Sequence, residues 1–136
     1  MAVFLVKTEP STYSLDDLRR DRKTVWDGVS NPVALKHLAT IRKGDTVVVY
    51  HTGDEKQVVG IVEIIREAYK DPTDEKGVFY CVDTRAVKPF PKPVTLATVK
   101  ADAKLKSMKL AREPRLSVQP VTDDEWKLIC KMGGVK

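Results

Sequence analysis

The sequence predicts one α+β domain built around a small barrel of strands, with short helices at its margins. Three observations carry that expectation. Runs rich in Val, Ile and aromatic residues recur at 2–7, 46–51, 57–65 and 78–87, which is strand spacing with few helices between. The helical stretches are brief, and each begins at a Ser, Asn or Thr suited to cap it. The length of 136 residues supports a single core, and no repeat, low-complexity tract or linker divides the chain.

Taken in order, residues 2–7 form an apolar run that ends at Thr8-Glu9-Pro10, where Pro10 lacks the N–H a ladder needs. This reads as a buried strand delivering Lys7 and Glu9 to its C-terminal end. Ser14 then caps a short helix with Asp16 and Asp17 in its first turn, closed off by Arg19-Arg20-Asp21-Arg22-Lys23. Trp26-Asp27-Gly28 follows, directly before Asn31 as N-cap and Pro32 as first residue of an amphipathic helix over 33–41. The run 46–51 pairs with 57–65 as an antiparallel hairpin across the turn signal Gly53-Asp54, and Gly60 predicts a bulge or a close backbone approach. Turn signals at Asp71-Pro72 and Lys76-Gly77 precede the long strand 78–87, which Pro89, Pro91 and Pro93 are expected to stop. Thr95 caps a helix over 96–104, a looser basic segment reaches Arg112, and 114–120 is a short strand between prolines. Thr122 and Glu125 form a capping box for the last helix, which carries Trp126 on its apolar stripe and ends at Gly133 as C-cap.

The chain is 42% hydrophobic and 32% charged, the balance of a soluble globular protein. Lys and Arg number 24 against 19 Asp and Glu, a formal net charge of +5 and a pI near 9.2, which is compatible with a phosphate-bearing partner. No apolar run is long enough to span a membrane, and the first residues lack the basic leader and cleavage site of a secretion signal. Cys81 and Cys130 show neither Cys-x-x-Cys nor Cys/His spacing, so they read as buried thiols of a reducing, cytoplasmic setting, with no metal. No phosphate-binding glycine loop, dinucleotide fingerprint, nucleophile elbow or zinc-protease pattern is present, and no cofactor is expected.

What stands out is a set of polar side chains at strand ends beside Trp26. Lys7, Glu9, Asp27 and Glu63 are candidate acids and bases, and His51 closes an apolar strand. No nucleophile and activator stand at a known spacing, which favours a binding pocket with no catalytic residue. The free N–H groups of the 33–41 helix would face the same place. Arg19, Arg20, Arg22 and Lys23 are candidate phosphate contacts, the alternative being a solvated helix end.

Lys7-Thr8-Glu9-Pro10, Tyr13-Ser14-Leu15-Asp16-Asp17-Leu18, Trp26-Asp27-Gly28-Val29 with Asn31, Lys43-Gly44-Asp45, Tyr50-His51, Val59-Gly60-Ile61, Tyr69-Lys70-Asp71-Pro72, Val82-Asp83 and Arg115-Leu116-Ser117-Val118 together resemble the EVE domain family, in family order and over nearly the whole chain. The resemblance implies a PUA-like pseudo β-barrel with peripheral short helices, related to the YTH domains that read methylated adenine. It also implies a reader of a modified base in DNA or RNA, particularly a modified cytosine such as 5-methylcytosine. Carried over by position, Lys7, Thr8, Trp26, Asp27, Gly28, Asn31, His51, Arg115 and Ser117 would line or support the pocket. The chain departs from the family at Ser30, Pro32 and Val33, and again at Leu35-Lys36.

Three function classes follow. The first is a non-enzymatic, monomeric module whose partner is nucleic acid carrying a modified base, with no membrane involved. The second is an amidohydrolase acting on a modified nucleoside, by resemblance to the ASCH domains that share the PUA-like fold, with Lys7 and Thr8 working with Glu9 or Glu63. The third is a protein-interaction adaptor with no nucleoside in its pocket.

Overall fold

The computed structural model describes residues 2–29, 31–76 and 79–135. Among these, six strands and five helices follow the order β1 (Val3–Thr8), α1 (Leu15–Asp21), β2 (Lys23–Trp26), α2 (Pro32–Leu38), β3 (Thr46–His51), β4 (Gln57–Lys70), β5 (Tyr80–Thr95), α3 (Leu96–Ala101), α4 (Lys109–Arg112), β6 (Val118–Val121) and α5 (Asp123–Gly133). The strands form one sheet in the order β2-β5-β4-β3-β1-β6, parallel between β1 and β3 and antiparallel elsewhere. The expected α+β class and short helices are present. The sheet is not closed into a barrel, because β2 and β6 are its two edges and do not pair with each other.

The period-2 alternation of strands gives this sheet two apolar faces. Along β1, Phe4 and Val6 pack on one face with Val47 and Val49 of β3, while Val3 and Leu5 pack on the other with Val48 and Tyr50. Helices α1 and α2 cover the first face through Leu15, Leu18, Ala34 and Leu38. Helices α3, α4 and α5 cover the second through Val99, Leu110 and Ile129. Both faces are therefore buried, which is why the strands read as nearly continuous apolar runs. At the end of β1 the alternation continues, placing Thr8 on the first face and Lys7 on the second.

Local signals fixed most of the boundaries. Asn31 accepts from the N–H groups of Val33 and Ala34 and puts Pro32 in the first turn, while Ser14 and Thr122 each close a capping box. Gly60 sits at a register shift between β4 and β5, and a Cβ there would lie 2.5 Å from Leu15 Cδ2 and 3.1 Å from the Lys88 carbonyl oxygen. Both halves of the Gly60 expectation are thus met.

Several expectations are corrected. Pro89, Pro91 and Pro93 lie inside β5 and do not stop it. The ladder to β4 passes from the Gly60–Pro89 pair to the Val58–Val94 pair, so the prolines occupy an irregular stretch where few N–H donors are needed. On the other side, β2 pairs only as far as Arg85. Helix α2 stops at Leu38 and α3 at Ala101, both shorter than expected. The left-handed C-cap is Gly134 at φ 70°, whereas Gly133 is the last helical residue, pressed against the Phe90 ring. Lys23, assigned to a polar helix end, instead opens the edge strand β2, which runs to Trp26 and was not anticipated. The expected start of the long strand at Val78, the turn signal at Gly77 and the family departure at Ser30 fall outside the described residues.

Candidate nucleic-acid interface

Two strand ends converge. β1 delivers Lys7 and Thr8, and β2 delivers Trp26 followed by Asp27 and Gly28, around a cleft of about 440 Å³ also lined by Thr12, Tyr13, Thr24 and Val25. β2 is an edge strand whose residues alternate: Val25 is exposed while Trp26 turns into the core, leaving 9% of its surface accessible. Trp26 packs in the same cluster as Val29, Ala34 and Leu116. It is at once a core residue and part of the cleft wall, presenting a narrow part of the indole rather than an open face. Asp27 and Gly28 are exposed at the mouth, and Gly28 adopts φ 74°, a left-handed conformation that glycine takes without penalty.

The opposite wall is the turn after β1. The N–H groups of Thr12 and Tyr13 both donate to the Glu9 carbonyl, and Thr8 Oγ1 donates to the Tyr13 carbonyl at 2.7 Å. Tyr13 Oη donates to Asp21 at 2.8 Å, and burial is the main reason its phenol titrates above the ordinary value, so it stays a neutral donor or acceptor. Lys7 donates its backbone N–H to the Ser117 carbonyl and its ammonium to the Pro114 carbonyl at 2.8 Å. Burial pushes the Lys7 ammonium below the usual lysine value.

The nine residues assigned to one pocket by resemblance separate into three groups. Lys7, Thr8, Trp26, Asp27 and Gly28 share the cleft. Asn31 and Arg115 line a neighbouring cavity of about 290 Å³ with Val33, Glu113, Pro114 and Leu116, and the Lys7–Pro114 hydrogen bond joins its wall to the cleft. The Asn31 Oδ1 already holds two helix N–H groups, leaving only the amide nitrogen for a ligand. His51 and Ser117 line neither cavity. His51 is buried; its Nε2 accepts from the Leu15 N–H at 3.0 Å and its Nδ1 meets Glu55 at 2.8 Å, so it is neutral with the proton on Nδ1. It supports the cleft by pinning the start of α1, just after Tyr13. Ser117 supports it through its backbone carbonyl alone among the hydrogen bonds of the described residues.

Of the candidate acids and bases, Glu9 and Glu63 are engaged elsewhere. Glu9 accepts from the Ser11 N–H and hydroxyl and from Thr52, and Glu63 pairs with Arg85. Of the basic cluster, Arg19 pairs with Asp16 at 3.6 Å, and Arg20 with Asp17 and Asp21 at 3.1 Å each. Arg22 and Lys23 are held in no ion pair among the described residues, and they directly precede Thr24 of the cleft wall. Among those residues no three His, Cys, Asp or Glu side chains gather as metal ligands, and no helix is long and apolar enough to cross a membrane. Thr12, Tyr13, Thr24 and Val25 were not singled out as pocket residues; only Tyr13 carried a signal, as the first residue of the Tyr13-Ser14-Leu15 motif.

The sequence model of the EVE domain matches residues 2–132. Thymocyte nuclear protein 1 of Gallus gallus is 30% identical, over 95% of this chain and 67% of that protein. Among solved structures, the NMR structure of Rpa0253 from Rhodopseudomonas palustris superposes with a TM-score of 0.94 at 52% identity, covering 98% of this chain and 94% of that one. Human THYN1 protein, solved in complex with 5-methylcytosine containing DNA, superposes with a TM-score of 0.90 at 25% identity, covering 100% of this chain and 99% of that one. A mutant ASCH protein from Zymomonas mobilis, at 12% identity and a TM-score of 0.64, shares the fold alone.

Proposed function

The chain belongs to the EVE domain family, and from that premise we propose that it binds nucleic acid by taking a modified base, most favourably 5-methylcytosine in DNA, into the cleft beside Trp26. The observation that carries this reading is the convergence of Lys7, Thr8, Trp26 and Asp27 on one cleft, in a chain that superposes over its full length on a protein solved with DNA containing that base. The chemistry is complementary to cytosine. The ionised Asp27 carboxylate can only accept, and cytosine offers an exocyclic amino donor. Thr8 spends its proton on the Tyr13 carbonyl, so its oxygen faces a ligand as an acceptor.

Energetics restrict the mode of binding. Extruding a base from a duplex costs a few kcal/mol, and an aromatic contact returns about 1 to 3 kcal/mol. With only a narrow part of Trp26 accessible, polar contacts and phosphate attraction must make up the difference. Arg22 and Lys23 are the members of the basic cluster available for the latter. The cleft reads as a binding site: it brings Lys7 together with no carboxylate except Asp27 at the mouth, and Glu9 and Glu63 are occupied elsewhere.

The test is titration of the protein with oligonucleotides carrying one 5-methylcytosine or one cytosine in the same context. The modified strand is expected to bind more tightly, and Asp27→Asn to narrow that preference while leaving the fold intact. Equal binding of both strands by the parent protein refutes the reading. Release of product from a modified nucleoside, abolished by Lys7→Ala, establishes the amidohydrolase instead, and absence of any salt-dependent nucleic-acid affinity favours the adaptor.

A further inference from the structure

Beyond the base cleft, on the second face of the sheet, lies a cavity of about 300 Å³ lined by Lys7, Tyr50, Thr52, Lys56 and Lys100 over an apolar floor from α3 and α4. We infer that this cavity holds a backbone phosphate of the strand whose modified base occupies the Trp26 cleft; the inference rests on the function proposed above.

Three lysines line the cavity, and no Asp or Glu is among its lining residues. Three lysines on one lining make a positive potential that favours an anion. Of the acids beside the lining, Glu9 next to Gly53 is held by Ser11 and Thr52, and Glu55 next to Lys56 by His51 and Gln57. Tyr50 is buried and its phenol is pushed up by that burial, so it stays a neutral O–H able to donate to an anionic oxygen. Lys56 adopts φ 47°, a left-handed conformation in which glycine or asparagine is the common choice, and its carbonyl is tied to the Leu96 N–H at 2.8 Å. A lysine is thus held at a backbone position that does not favour it.

The link to the base cleft is Lys7, which lines both cavities. Its position in β1 puts its side chain on the Tyr50 face, 5.6 Å above that ring, whereas Thr8 faces the Trp26 side. A nucleotide with its base beside Thr8 and Trp26 can therefore pass its backbone around the end of β1, across Lys7, to Lys56 and Lys100. This path is separate from the Arg19–Lys23 cluster.

The experiment compares the parent with the K56Q/K100Q and K56R/K100R double variants. Each is titrated at several salt concentrations with single-stranded oligonucleotides carrying one 5-methylcytosine or one cytosine, and with the modified strand bearing a neutral methylphosphonate beside that base. Circular dichroism checks the fold, and both lysines are exposed. K56Q/K100Q is expected to bind both natural strands about tenfold more weakly, as loss of a charge-assisted contact requires. Its salt slope should be smaller by about 0.7, the value for one phosphate on a single strand. Its preference for the modified strand should be kept, and K56R/K100R should bind as the parent does. The methylphosphonate should weaken the parent and leave K56Q/K100Q unaffected. If the parent prefers the modified strand and K56Q/K100Q matches it in affinity and slope, the phosphate site is refuted while the base cleft stands. If the preference itself collapses in K56Q/K100Q, the lysines recognise the base and the phosphate role is overturned. If the parent binds neither strand, the proposed function falls and this site with it.

Discussion

Trp26 carries two duties, and this decides how it can be tested. Removing a buried ring from the core cluster it shares with Val29, Ala34 and Leu116 leaves a cavity, so Trp26→Ala is expected to lose about 3 to 5 kcal/mol of stability in denaturant titration. Lost binding in that variant reports on folding as much as on the cleft; Trp26→Phe retains most of the packing and is the cleaner probe. At Gly60 the space is already taken by Leu15 and the Lys88 carbonyl, so Gly60→Ala should cost about 1 to 3 kcal/mol as an overpacked site, measured the same way. Lys7 gives a prediction in pH. Its ammonium titrates below the usual lysine value because it is buried, and a neighbouring phosphate favours the charged form and raises that value. In the alkaline window between the free and bound values the complex holds more protons than its parts. Binding should take up protons there and weaken as pH rises. Calorimetry in buffers of different ionisation enthalpy reads this uptake, and Lys7→Met should abolish it.

At the scale of elements, the cleft exists because a turn and an edge strand are each fixed by bonds from elsewhere. His51, at the end of β3, accepts the Leu15 N–H and so sets where α1 begins and where Tyr13 stands. His51→Phe fills the space but leaves that buried donor without a partner, which costs about 1 to 3 kcal/mol. Hydrogen exchange should show α1 opening more often in this variant, and affinity for oligonucleotide should fall even where the protein remains folded. Such tethers explain what the sequence made legible. Caps at Ser14, Asn31, Thr95 and Thr122 depend on residues within a few positions, and all four were read correctly. β2 was missed because four residues of mixed polarity form a strand only by pairing with β5, some sixty residues away. The prolines misled for the same reason: whether a missing N–H matters depends on whether a partner strand lies opposite, and around Pro91 the β4 ladder is interrupted. His51 shows the limit most plainly, since a histidine at a strand end can face a ligand or a helix start, and only the packing of α1 decides.

For the whole molecule, family membership was legible because many short motifs fall in order along one chain, which no local argument could supply. The partition of the site was not, because motif order does not tell which face of the sheet a residue meets. The open sheet places Thr8 and Trp26 on one face and Lys7 toward the other, and in the proposed complex one nucleotide would contact both. The central claim is that a modified base enters the cleft beside Trp26. The chain has two tryptophans, and Trp126 lies on α5 against Phe90, packed with the second core. Trp126→Phe therefore leaves Trp26 as the sole indole emitter without emptying that contact. Titrating this variant with an oligonucleotide carrying one 5-methylcytosine should change Trp26 emission saturably, with the same midpoint as binding followed by anisotropy of the labelled strand. The unmodified strand should reach the same change only at higher concentration. Binding seen by anisotropy with Trp26 emission unchanged would place the nucleic acid elsewhere on the protein and contradict the account.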